Sequence, residues 1–342
     1  MKKVRAEDAV GLTLCHDVTG IRKDFKGPVF KRGHIITKED VGTLLDIGKK
    51  HVFIWEENAG EIHEDDAARE LSEIAAADGA ASFGPSEGKI VLKAQRPGML
   101  RVNAPVLKRI NSIGDITITT LPDHYPCAEG SAIASMRIVP LVTKKEQIDE
   151  ARRISKEDEM PLLELVPYRH TKIGIIITGS EIYSGRTPDL FEPVIRKKVA
   201  AFPTEILGCD ICDDDLGMLE DVIAKYMDMG ADIIVMTGGM SVDPDDITPT
   251  AIRNSGARIV RHGAPSQPGN MLLVSYLNDT AIIGVPGAAA RLPVTTFDVF
   301  LPQLMTGIKI TTEDIVNLGD GGFCQSCGAD NCHWPNCTFG RY

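Results

Sequence analysis

Between residues 171 and 307 short apolar runs alternate with helical spacings, and this alternation constrains the fold more than any other feature of the 342-residue chain. Lys172–Thr178 is a continuous apolar strand pattern, and Thr204–Cys209, Ile233–Met236, Met271–Tyr276 and Ala281–Val285 read as further strands. Between them lie helical patterns: Phe191–Phe202, Leu216–Met229 with Leu216, Leu219, Ile223, Tyr226 and Met227 on one face, Thr248–Ser255 and Pro293–Leu304. Asp214 and Asp215 read as caps of the second helix. Strands without a polar face, separated by helices, predict a largely parallel sheet covered on both sides. Ligands of such sheets bind beyond the carboxyl ends of the strands. Three glycine-bearing loops fall there: Thr178-Gly179-Ser180-Glu181, Thr237-Gly238-Gly239, and Gly284-Val285-Pro286-Gly287.

The second loop continues as Met240-Ser241-Val242-Asp243-Pro244-Asp245-Asp246 into a helix. Glycines permit close backbone approach, and amides at a helix start favour an anion. Carboxylates beside a phosphate repel it unless a divalent cation intervenes, and magnesium binds through one or two carboxylates plus ligand phosphate oxygens. The stretch therefore reads as a site for a phosphorylated ligand with a metal, against the plainer reading of a surface turn with capping aspartates.

Thr178-Gly-Ser-Glu-Ile182, Gly238-Gly-Met-Ser-Val-Asp-Pro-Asp-Asp246, Pro268-Gly269 and Gly284-Val-Pro-Gly287 occur in an order that resembles the molybdopterin-binding domain of the molybdopterin molybdenumtransferase (gephyrin-like) family. The resemblance covers roughly 171–307. It implies a three-layer αβα fold of the α/β class, a pterin phosphate ligand, and insertion of molybdate into adenylylated molybdopterin with Mg2+. It implies that Gly238, Gly239 and Ser241 present donors to the terminal phosphate, and that Glu181 and Asp246 act as catalytic and metal-holding carboxylates. Thr178, Gly179, Pro286 and Gly287 are expected at the pocket rim, and a homodimer is implied. The chain departs from the family at Ser180, at Gln267 and Asn270, where lysines are usual, and at Ala288-Ala289 in place of Asn-Pro. Arg261, His262 and Arg291 are candidate substitutes for the missing point charges. An enzyme inserting molybdate is thus one reading. A non-catalytic module that binds, carries or senses the cofactor is the alternative, and a nucleotide-processing enzyme rests on fold analogy alone.

The remaining chain is expected as three pieces. Residues 1–83 read as an α+β unit with a helix Lys38–Ile47, a strand His51–Trp55, an acidic solvated helix within 56–78 and a linker at 79–86. Residues 84–170 read as a β-rich unit with strands at 89–93, 115–119 and 134–140 and a connecting helix from 144 to 156; Cys127 reads as a buried thiol. Residues 308–342 carry Cys324, Cys327, Cys332 and Cys337, half of the eight cysteines. Four close thiolates suit one zinc ion or an iron–sulfur cluster, whereas Cys209 and Cys212 read as strand packing. A net charge of −11 with no basic stretch argues against nucleic acid. The absence of any long apolar run argues against a membrane span, and no apolar core follows the first lysines as in a signal peptide, so a cytoplasmic protein is expected.

Overall fold

A computed structural model of the chain describes all residues except 23, 24, 55, 57, 77, 241–245 and 342. It divides into two compact units: Met1–Gln95 with Val102–Leu121 and Gly130–Glu164, and Arg96–Arg101 with Pro122–Glu129 and Leu165–Tyr342. Among the described residues no helix is long and apolar enough to cross a membrane.

The first unit begins with strand Lys2–Arg5 paired antiparallel to His51–Ile54. Thr37 and Asp40 form a capping box that starts helix Lys38–Asp46, and Leu14, Ile36, Leu44 and Val52 close a small core beneath it. A four-stranded antiparallel sheet follows, in the order Ala80–Ser86, Lys89–Ala94, Ala132–Ile138, Ile116–Thr120. The segment expected as a linker at 79–86 is therefore its edge strand, paired with Lys89–Ala94, and the expected boundary at 83/84 falls inside one unit. The acidic helix is corrected too. Helix Glu64–Ile74 is not a solvated one: Ala67, Ala68 and Leu71 are fully buried, as is Ala75 just beyond it. Alanine allows this face to lie close on the sheet, while Glu70 on the same helix receives Lys145 and Arg152 of helix Lys145–Ser155.

The second unit contains a six-stranded sheet of β1 (Thr171–Thr178), β2 (Thr204–Cys212), β3 (Ile233–Thr237), β4 (Arg258–His262), β5 (Leu273–Leu277) and β6 (Thr280–Val285). Their order is β2-β1-β3-β6-β5-β4. The first four in that order run parallel, and β5 and β4 are antiparallel additions. Helices α1 (Phe191–Val199), α2 (Leu216–Asp228), α3 (Thr248–Asn254), α4 (Thr296–Thr306) and α5 (Thr312–Asn317) complete the α/β fold. Ile173, Ile175 and Ile177 pack with Ile195 of α1 and Phe297 and Phe300 of α4 on one face. Ile176, Ile234 and Met236 pack with Ile223 of α2 and Ile252 of α3 on the other. The three-layer αβα arrangement follows from this two-sided burial.

Tyr226 of α2 lies against the sheet at Gly174 and Gly208, which face each other across β1 and β2. A Cβ at Gly174 would stand 2.5 Å from the Tyr226 ring, and one at Gly208 would stand 2.9 Å from its hydroxyl. Helix α4 starts at Thr296 rather than at Pro293, because Thr295 and Asp298 form its capping box. Asp298 also takes Lys198 Nζ at 2.6 Å, and that ammonium donates to Pro293 O at 2.9 Å. The expected break at 307/308 is not a packing boundary: Ile310, Ile315 and Leu318 belong to the α1–α4 core.

Candidate functional site

The three glycine loops stand at the carboxyl edge of the parallel strands. Thr178 ends β1, and its hydroxyl donates to Asp214 at 2.7 Å. Ser180 N donates to the same carboxylate at 2.9 Å, and the Ser180 hydroxyl bonds both Asp213 and Asp214. The two acids after β2 thus pin the first loop. Asp215 alone caps α2, accepting from Met218 N at 2.8 Å. Gly179, at φ +148°, leads into the one-turn helix Ser180–Tyr183. A Cβ at Gly179 would lie 3.2 Å from the carboxylate of Glu181, which is exposed and folded back over the turn.

The second loop needs its glycines. Gly238 has φ +88°, and a Cβ there would stand 2.1 Å from Thr178 O, so only glycine lets the two loops approach. Gly239, at φ +55°, faces Thr248, whose buried hydroxyl donates to Gly238 O at 3.0 Å. Thr237, at 0% exposure, has a hydroxyl with no hydrogen-bond partner among the described residues. Ser241 lies outside the described residues, as do Asp243 and Asp245. Asp246 is half-buried immediately before Ile247, which N-caps α3.

The third loop runs through Pro286 into a 3-10 turn, Gly287–Ala290. Glu181, Ile182, Phe191, Gly287 and Arg291 converge on one open cleft of about 440 Å³. The structure therefore brings Glu181 and Gly287 to one cleft and adds the exposed cation Arg291 to its lining. Asp246 is not among the residues lining this cleft. Thr178 and Pro286, expected at the rim, are instead buried struts beneath it, because the Thr178 hydroxyl is spent on Asp214 and Pro286 closes the end of β6. Arg261 donates to Gly263 O at 2.8 Å and His262 bonds Met240 O at 3.3 Å, so neither lines the cleft.

Sequence reasoning missed Asp213 and the pinning role of Asp214. The run Asp213-Asp-Asp215 after a strand was the available signal, but their partners lie more than thirty residues away in the chain. It also missed the Lys198–Asp298 pair, which fixes the residues following Arg291.

Cys212 is fully buried and Cys209 half-buried in the strand. Burial pushes their thiols up to about 11 and about 12, which suits packing rather than chemistry. Burial does the same to Cys127, to about 11. Cys324, Cys327 and Cys332 line a separate cavity, and Cys337 is not part of its lining. Among the described residues no three His, Cys, Asp or Glu side chains stand at metal-holding separations. The four-thiolate centre expected from the spacing is thus not gathered in this arrangement.

Residues 174–306 match a family described as a probable molybdopterin binding domain, and residues 3–56 match one described only as a domain of unknown function. A CinA-like protein of Mycolicibacterium gilvum (strain PYR-GCK) is 30% identical over 77 residues, which is 22% of this chain and 18% of that protein. The chain therefore spans under a fifth of the length of the curated relatives it matches first. Among solved structures, the molybdopterin biosynthesis enzyme MoaB from Thermus thermophilus is 22% identical with a TM-score of 0.35, covering 40% of this chain and 96% of that one. The protein CinA of unknown function from Thermoplasma acidophilum is 14% identical with a TM-score of 0.33, covering 40% and 98%. Residues 174–306 are a divergent member of the molybdopterin-binding domain family.

Proposed function

We propose that this domain binds a pterin phosphate, molybdopterin or its adenylylated form, in the cleft bounded by Glu181, Gly287 and Arg291. The observation that carries the reading is the convergence of the first and third glycine loops on one cleft at the carboxyl edge of the sheet. Arg291 supplies the charge that the missing lysines supply elsewhere in the family, and its planar fork suits a phosphate. The unpartnered Thr237 hydroxyl adds to it: an unsatisfied buried hydroxyl costs about 1–3 kcal/mol, which a ligand oxygen reached through the second loop would recover.

The reaction we infer is insertion of molybdate into the bound pterin, assisted by Mg2+. Glu181 is the hard oxygen donor that the cleft itself offers; Asp246, outside the cleft lining, would join it only through a ligand phosphate that reaches both. The ion would neutralise ligand oxygens and so lower the repulsion between phosphate and carboxylates. Glu181 lines the cleft, Gly238 and Gly239 let the backbone approach, and Asp213 with Asp214 hold the first loop still. Binding without turnover is the second reading, and one observation favours it. Gln267 stands where the family carries a lysine, and its backbone is engaged by the C-terminal segment.

Anaerobic calorimetry of the full chain with purified molybdopterin tests the binding. Arg291→Ala should weaken it by about tenfold or more, as for loss of a charge-assisted hydrogen bond. A wild-type chain that binds no pterin overturns the proposal. With Mg2+, molybdate and adenylylated pterin, Asp246→Asn should then abolish insertion while binding persists. A wild type that binds but never inserts leaves the carrier reading.

A further inference from the structure

The cysteine-rich segment is anchored at both ends, and between them its residues are at most half-buried, with Asn336 accepting from the Tyr125 hydroxyl. At its start Gln267 N donates to Gly322 O at 2.7 Å, and Cys324 N donates to Gln267 O at 2.8 Å. At its end Phe339 is 2% exposed, Gly340 N donates to Gly321 O at 3.0 Å, and Arg341 Nε donates to Cys337 O at 3.0 Å. The Arg341 guanidinium also lies 4.5 Å from the centroid of the Tyr125 ring. Between Phe323 and Thr338 no residue is buried, and regular structure is limited to the 3-10 turn Ala329–Asn331. Apolar packing therefore does not explain why this stretch takes one shape.

The thiols offer another explanation. Cys324, Cys327 and Cys332 line one cavity of about 120 Å³, whose facing wall includes Pro268, Leu292 and Arg291. Ser326 N donates to Cys324 Sγ at 3.4 Å. Ser326 has φ +54° and Gly328 φ +84°, so two left-handed residues turn the backbone around the Cys-x-x-Cys pair and aim an amide at the first sulfur. A backbone donor aimed at a sulfur fixes its direction, and outer donors of this kind orient the ligands of metal centres.

We propose that Cys324, Cys327 and Cys332 bind one soft divalent ion of the zinc class in this cavity, with Cys337 outside the ligand set. Each thiol releases its proton to solvent as its sulfur bonds the metal. Three thiolates and a dication carry one net negative charge, and the Arg291 guanidinium on the facing wall offsets it. The fourth tetrahedral position is left for an exchangeable ligand. The three cysteines line the cavity without meeting at ligand separations. Binding would draw the three sulfurs inward, and no residue between the anchors is fully buried. The proposal does not depend on the pterin reading.

The test uses the full chain, purified without oxygen and titrated with zinc and with cobalt. One zinc per chain is expected. Cobalt should give sulfur-to-metal charge transfer in the near ultraviolet and the visible bands of a tetrahedral ion. Cys324→Ser, Cys327→Ser and Cys332→Ser should each weaken zinc binding by at least about 100-fold, more than loss of an outer partner costs, while Cys337→Ser should leave it within about threefold. Circular dichroism of each variant separates ligand loss from unfolding, and the wild-type cobalt spectrum stands without any variant. A chain that takes up no zinc and gives no cobalt bands overturns the site. So does iron–sulfide absorption in its place. A Cys337→Ser variant as defective as the other three overturns the three-thiol assignment in favour of four ligands.

Discussion

The two larger sheets of this chain solve burial in opposite ways. In the six-stranded sheet β1 and β3 are buried on both faces almost throughout, and Ile173, Ile175, Ile176 and Ile177 are all fully buried. In the four-stranded sheet Lys89–Ala94 alternates, with Ile90 and Leu92 inward and Lys89, Val91 and Lys93 outward. A sheet covered on both sides has no side chain to spare in mid-strand, so its chemistry falls to the strand ends, where Glu181, Gly238 and Gly287 stand. A sheet covered on one side keeps polar residues such as Thr119 and Ser135 on its open face, and tolerates change there.

The largest expected effect separates the sheets directly. Phe297→Ala, at a fully buried site of the six-stranded core, should lower the unfolding free energy by about 3–5 kcal/mol. Val91→Ala on the open face should cost under about 1 kcal/mol. Equal costs in denaturant titration would break the contrast.

Gly238→Ala probes the edge where chemistry and fold meet. Its φ is +88° and the added methyl would collide with Thr178 O, so a loss of about 1–3 kcal/mol is expected together with loss of pterin binding. A variant that keeps full stability and affinity would show that the two loops part without cost.

The four-stranded unit also carries a buried acid, Glu64, whose carboxyl is pushed up from 4.5 to about 7 by burial first and by Asp65 second, against the opposing pull of Arg137. A raised carboxyl favours the protonated folded form. Its contribution is therefore complete below about 4.5 and is lost as pH rises through about 7. Glu64→Gln should remove on the order of 2 kcal/mol of this pH dependence. Unfolding titrations at pH 5 and pH 8 measure it, and identical profiles for wild type and variant would contradict the assignment. The smallest effect belongs to Thr119→Ala, within about 0.5 kcal/mol by the same measurement.

What the sequence disclosed follows the same division. Two-sided burial writes itself as unbroken apolar runs, so β1, β3 and β6 and a largely parallel sheet were legible, and the glycine loops with them; β2, a half-buried edge strand, was read only as far as Cys209. β4 was not, because Arg258-Ile-Val-Arg-His262 is short, charged at its ends and an antiparallel edge. The acid density of residues 64–74 hid Ala67, Ala68 and Leu71, small residues whose burial depends on what they lie against. The start of α4 was legible in Thr295-Thr-Phe-Asp298, a capping box overlooked in favour of Pro293. At the site, Glu181 and Gly287 announced themselves by motif. Asp213 and Asp214 did not, since their bonds to Thr178 and Ser180 are tertiary and leave no local periodicity. Cys324, Cys327 and Cys332 were visible, but the departure of Cys337 from their cavity depends on a fold-back that spacing alone does not encode.

The contact of Tyr226 with Gly174 and Gly208 also bears on how this domain can change by descent. No side chain fits at either glycine while the ring is present, since a methyl at Gly174 would overlap the ring carbons. The three positions are therefore inherited as one character. A lineage that acquires alanine or valine at 174 or 208 must first have traded Tyr226 for something smaller, and one that loses the ring first passes through ancestors with a hole between sheet and helix. Related sequences should populate the two corners of that path and leave the crowded corner empty.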